Sequence, residues 1–139
     1  MVSVCVLVWL AALSVYDVRQ RRLPNWLTMP GAAAVLVVAA VHGRGVPALL
    51  GAAALFAVYA VVHLMSPTAM GAGDVKLAIG IGGLTAAFGS DVWLLAALGA
   101  PVLTAGWALV TLVRRSEQTV PHGPSMCLTA VMATALAVL

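Results

Sequence analysis

The chain alternates long apolar runs with short polar breaks, and that rhythm sets the expected elements. The first run, Val2 to Tyr16, stops at Asp17 and is followed by the basic loop Arg19-Gln20-Arg21-Arg22-Leu23-Pro24-Asn25. Pro24 closes that loop, because proline cannot continue a helix interior. A second run covers Trp26 to Val41 and ends at His42-Gly43-Arg44-Gly45. Pro47 suits the first turn of a third helix that reaches about Met65. Ser66 to Gly73 is rich in breakers and reads as a loop. The fourth helix is expected to begin at or just before Asp74 and to reach Phe88, with Gly89-Ser90-Asp91 as a tight turn. A fifth run, Val92 to Val113, carries Pro101 as an expected kink. The polar stretch Arg114 to Gln118 and then Pro121-His122-Gly123-Pro124 lead into a last helix, from about Ser125 to Leu139.

A membrane span needs about 20 apolar residues, fewer where flanking side chains snorkel. The six runs approach that length, and the composition agrees. The chain is 63% hydrophobic and 8% charged, whereas a soluble domain carries roughly 25% charged residues to cover its surface. The expected fold is therefore all-α: a polytopic membrane protein with six transmembrane helices, in a single domain over residues 1–139. An open sheet is excluded, since lipid cannot satisfy its backbone edge. The N-terminus lacks the basic region and small-residue cleavage site of a secretory signal, so Val2 to Tyr16 is read as a retained span.

A net charge of +3 is too small and too dispersed to bind nucleic acid, and its use is in topology. With the N-terminus outside, the loops after the first, third and fifth helices are cytoplasmic. They hold Arg19, Arg21, Arg22, Lys76, Arg114 and Arg115, and the opposite loops hold only Arg44. The positive-inside rule asks for that asymmetry. It also puts Asp17 and Asp74 on the same side. Cys5 and Cys127 both lie within apolar runs, with no Cys/His cluster at metal-ligand spacing, and read as buried, inert thiols with no metal site.

Gly71-Ala72-Gly73-Asp74-Val75-Lys76 stands out against its surroundings. Ionisable residues at or inside a span are costly and usually face a partner or a cavity. Asp17 is the comparable acid at another helix end. At intervals of four from Asp74 come Ala78, Gly82, Ala86 and Ser90, a small-residue stripe that would let a neighbouring backbone approach and bring Asp17 near. The competing reading is that an Ala/Gly-rich chain makes such a stripe by chance.

Two carboxylates within hydrogen-bond reach cannot both ionise cheaply and tend to share one proton. The charged member can then serve as general base on a water, and the protonated one can donate to a peptide carbonyl oxygen. Asp74, near a helix N-terminus, is expected to be the more readily ionised. Each residue also has a plainer reading. Asp17 could pair with Arg19 or Arg21, Asp74 could simply favour its helix dipole, and Lys76 could snorkel to the interface. Asp91 reads as solvated, and His42 and His63 as interface residues. His122 is a weaker candidate for a supporting role.

Asp17 followed by Arg22-Leu23-Pro24-Asn25, and then Gly71-Ala72-Gly73-Asp74-Val75-Lys76-Leu77, resemble the two aspartate motifs of the type IV prepilin peptidases. Pro121-x-Gly123-Pro124 is similar to a further family segment, and the resemblance runs from Tyr16 to Pro124 in the family's order. It implies that Asp17 and Asp74 are the catalytic pair of an aspartic protease of the cytoplasmic membrane. It implies cleavage of a short basic leader from a prepilin on the cytoplasmic side, just before the pilin's hydrophobic helix. Gly71 and Gly73 would shape the approach to Asp74, with Lys76, Pro24 and Asn25 as supporting residues. The larger members carry a four-cysteine insert and methylate the new N-terminus. Nothing here matches that insert, so no methyl donor or other cofactor is expected. The short form resembles peptidases of tight-adherence or archaellum-type systems.

Three other readings compete. A presenilin-like G-x-G-D protease would be longer and would lack the Leu23-Pro24-Asn25 loop. A proton-coupled carrier would place its acids near mid-span and repeat itself between halves. A non-catalytic membrane subunit of a pilus machine would not need the two acids. An open, partly hydrated groove is expected at the aspartates instead of a closed pair. The sequence does not name the prepilin or the oligomeric state.

Overall fold

A computed structural model describes residues 1–117 and 119–139; within the polar stretch Arg114 to Gln118, Gln118 lies outside the described residues. It contains six helices and no strand among the described residues: α1 (Val2–Gln20), α2 (Asn25–Val41), α3 (Gly45–Met65), α4 (Ala72–Phe88), α5 (Ser90–Val113) and α6 (Gly123–Val138). α1, α3 and α5 are long and apolar enough to cross a membrane, and α2 and α6 are shorter apolar helices. The outer surface is apolar, with Leu7, Leu50, Leu64, Leu98 and Leu136 all exposed. Such a surface suits lipid and would be costly in water. The chain has the build of a membrane protein.

Several helix ends differ from the sequence expectation. α1 does not stop at Tyr16 but runs on through Asp17 to Gln20, and Arg21 turns it off in a left-handed conformation with its amide bonded to the Asp17 carbonyl. Polar side chains do not by themselves end a helix; the backbone stops where the αL residue and Pro24 follow. At Gly89-Ser90-Asp91 only Gly89, at φ 144°, lies between helices; Ser90 and Asp91 already form the first turn of α5. Pro101 lies inside α5, which continues through it to Val113.

α4 is the central element. Val75, Leu77, Ala78, Ile81, Gly82, Leu84 and Thr85 are all buried, and the helix packs on α2, α3, α5 and α6. Its most extensive contact is with α3. Gly51 of α3 faces Gly82 and Ala86 there, and a Cβ on Gly51 would stand 2.7 Å from the Gly82 carbonyl oxygen. The small-residue stripe thus admits α3. It does not admit α1, the helix that carries Asp17, so the expectation that this stripe brings the two acids together is corrected.

α1 is held differently. Leu10, Leu13 and Asp17 recur at three and four residues and form one buried face. That face meets mainly α6. The Trp9 indole N–H donates to the Leu27 carbonyl at 2.9 Å, and its ring covers Gly31 of α2 and Gly80 of α4, leaving no space for a Cβ at either. Cys5 points off this face and is exposed, which corrects the expectation of two buried thiols; Cys127 on α6 is buried.

Candidate functional site

Asp17 stands in the last turn of α1 and Asp74 in the first turn of α4, so antiparallel elements bring both to one end of the bundle. They line one groove of about 300 Å³, together with Arg21, Arg22, Leu23, Gly71, Ala72, Gly73 and Lys76. Asp74 is half-buried, while Asp17 is 7% exposed. The two carboxylates are near enough for their charges to act on one another. An open groove with both acids in its wall is the arrangement the sequence leads one to expect.

Asp17 is fixed from across the fold. Its Oδ2 accepts a hydrogen bond of 3.0 Å from the Gly123 backbone amide. Gly123 is the first residue of α6, and its amide is one of the donors that a helix N-terminus leaves without an internal partner. Pro124, next in the chain, has no such donor to offer. The close approach requires glycine: a Cβ at position 123 would lie 3.0 Å from the carboxyl carbon of Asp17 and nearer still to Oδ2. A carboxyl oxygen that carries the proton is the weaker acceptor, so this bond favours a bare Oδ2 and places any proton on Asp17 at Oδ1.

Asp74 reaches back towards Gly71, the cap of α4; a Cβ on Gly71 would sit 3.4 Å from Asp74 Oδ2. At Gly73 the constraint is different, since a Cβ there would meet the Leu23 side chain at 3.1 Å. Leu23 is buried against this helix start and folds the loop after α1 over α4. Lys76 donates to Asn25 Oδ1 at 2.8 Å and so bridges α4 to the start of α2 beside the groove. Pro24 caps α2 and its carbonyl accepts from the Thr28 hydroxyl at 3.2 Å. Pro24 and Asn25 lie outside the groove lining. Asp91 is exposed in the first turn of α5, and His42 and His63 bond to the carbonyls of Val38 and Met70.

Behind the acids lies a chain of polar side chains. His122 Nε2 is 2.9 Å from the Tyr59 hydroxyl of α3, and His122 Nδ1 is 2.6 Å from Thr104 Oγ1 of α5. Thr104 also donates to the Ala100 carbonyl at 3.0 Å. Burial holds the His122 imidazole below the usual histidine range. Tyr59 lies within reach of the Asp74 charge. The sequence reading passed over Tyr59 and Thr104. A tyrosine inside an otherwise apolar run was the available signal, since a buried phenol usually finds a partner.

Comparisons with the curated proteins and with the solved structures each find no match. The model of the type IV leader peptidase family matches residues 4–139, which takes in both aspartates, the groove they line and the Gly123 amide. The chain belongs to the type IV leader peptidase family.

Proposed function

We propose that this protein is a membrane aspartic endopeptidase that removes the leader of a type IV or tight-adherence-like prepilin, with Asp17 and Asp74 as its catalytic pair. Membership of a leader peptidase family makes proteolysis the class of activity. The observation that carries the finer reading is the shared groove of the two carboxylates, open to water at one end of an otherwise apolar bundle.

The pair works with one proton between them. The Gly123 amide makes Asp17 the better-placed anion, reversing the expectation drawn from the α4 dipole alone, and Asp74 then carries the proton. Asp17 takes a proton from the attacking water as its oxygen bonds to the peptide carbonyl carbon. Asp74 donates its proton to the carbonyl oxygen. Collapse of the tetrahedral intermediate breaks the C–N bond, the leaving amine takes the proton gained by Asp17, and Asp74 recovers its own.

All six helices cross the membrane in this reading, with the N-terminus outside and the groove facing the cytoplasm. The support is the cluster of Arg19, Arg21, Arg22, Lys76, Arg114 and Arg115 in the helix ends and loops of one side, against Arg44 at the other. Arg21, Arg22 and Lys76 rim the groove. The substrate's hydrophobic helix lies in the bilayer beside the bundle and presents the bond at the membrane surface.

The test is co-expression with a prepilin in membranes, comparing wild type with Asp17→Asn and Asp74→Asn. Loss of leader removal in both variants at unchanged protein level supports the reading. Cleavage that survives both substitutions overturns it and leaves a carrier or a scaffold.

A further inference from the structure

We propose that His122 is a positioning residue, held as a neutral Nδ1–H imidazole between Thr104 and Tyr59 so that the Gly123 amide stays aimed at Asp17. The inference deepens the peptidase reading and rests on it for its kinetic consequence. Its structural part stands alone.

The hydrogen count gives the chain a direction. Thr104 has one hydroxyl proton, which the Ala100 carbonyl accepts, so Thr104 Oγ1 faces His122 Nδ1 with a lone pair. Nδ1 must then carry the hydrogen. A neutral imidazole with Nδ1–H leaves Nε2 bare, and the Tyr59 hydroxyl donates to it. The acidities agree, because a phenol is a better donor than an aliphatic hydroxyl and a poorer acceptor. The run is Tyr59 to His122 to Thr104 to Ala100, and it ties α3, the start of α6 and α5 together. Burial of the ring favours its neutral form.

The residue after His122 is the donor to Asp17. Fixing the imidazole from two helices fixes the backbone at the α6 start, and with it the amide. Protonation of His122 would turn Nε2 into a donor and drive the Tyr59 proton away from it. Among the described residues, Tyr59 from α3 meets the ring, with Asp74 from α4 within reach of Tyr59. Asp17 from α1 bonds the neighbouring Gly123 amide, and Arg21 after α1 shares a small pocket with Pro121. Cys127 of α6 lies within reach of the same two carboxylates, and α5 presents the Thr104 hydroxyl. Loss of this support misaligns one hydrogen bond to a charged group, which corresponds to about tenfold to hundredfold in rate.

The experiment uses the full chain in lipid bilayers, labelled with nitrogen-15 histidine in a His42→Gln/His63→Gln background that leaves His122 as the one labelled ring. Near pH 7 the expected spectrum has a protonated Nδ1 and a bare Nε2, with Thr104→Val moving the first signal and Tyr59→Phe the second. A protonated Nε2, an imidazolium, or signals indifferent to both substitutions would overturn the proposal. In cleavage assays His122→Phe is expected to lower kcat about tenfold to hundredfold with KM changed less than about threefold. His122→Asn, whose amide nitrogen overlays Nδ1, should recover part of that loss. Equal losses in both variants, or a change in KM alone, would also count against it. Failure of the aspartate variants to abolish cleavage would remove the peptidase reading and leave the nitrogen signature intact.

Discussion

The backbone amide of Gly123 and the Asp17 carboxylate, 106 positions apart in sequence, meet at 3.0 Å inside the bundle. One helix thereby supplies an N-terminal donor to an acid on the last turn of another. The bond engages Oδ2 and leaves Oδ1 without that donor.

Gly123→Ala is expected to fold and to lose cleavage by about hundredfold or more, the scale of a displaced general base. The added methyl would press on the Asp17 carboxyl group, which must move from the amide. Initial rates in membranes, with protein level as control, check this. Wild-type rates would contradict the role given to Gly123.

Lys76 and Asn25 support the groove rim through an exposed hydrogen bond. Exposed bonds of this kind contribute about 1 kcal/mol or less, so Lys76→Gln is expected to reduce cleavage by less than about tenfold. Asp74→Asn should abolish it. A Lys76→Gln loss as deep as that of Asp74→Asn would give Lys76 a direct catalytic role.

The α3–α4 seam should tolerate nothing larger than glycine at its closest point. Gly51→Leu is expected to deplete the folded protein, because the Gly82 carbonyl and Ala86 already occupy that space and overpacking costs about 1–3 kcal/mol or more. Beyond its own helix backbone, a Cβ on Gly106 of α5 would meet nothing within 4 Å among the described residues. Gly106→Ala should be neutral, or stabilising by up to about 1 kcal/mol through helix propensity. Thermal unfolding in detergent separates the two.

His122 sets a pH dependence of stability. Its folded-state value lies below the ordinary one because burial disfavours the charged ring. As pH falls through the unfolded value of about 6.5, the unfolded chain takes up a proton that the folded protein refuses, so stability falls with it. Above that pH the group has no effect. Asp17 and Asp74 also titrate, so the comparison is between variants. From about pH 7 to pH 5 the Tm of wild type should fall more steeply than that of His122→Gln, and equal slopes would show that His122 carries none of the dependence.

Much of this protein was legible in its amino-acid order. The lengths of the apolar runs predicted six helices because a helix satisfies its own backbone wherever the solvent cannot. Asp17 and Asp74 were visible as acids at helix ends of the same parity, and two helices return the chain to the end it left. Helix ends were read less well: Gln20, not Tyr16, closes α1. A polar side chain can point out of a continuing helix, whereas an αL residue cannot extend one.

Tertiary structure decided what periodicity does not encode, namely which faces meet. The stripe of Ala78, Gly82 and Ala86 could have received any neighbour, and complementary shape at Gly51 awarded it to α3. The donor to Asp17 came from the backbone of Gly123, and every residue but proline has such a donor, so no side-chain pattern could announce it. Tyr59, Thr104 and His122 likewise became a chain only when three helices converged. Local order set the helices and the acids, because hydropathy and backbone satisfaction act along the chain. The partners of those acids were set by close packing, which acts between segments distant in sequence.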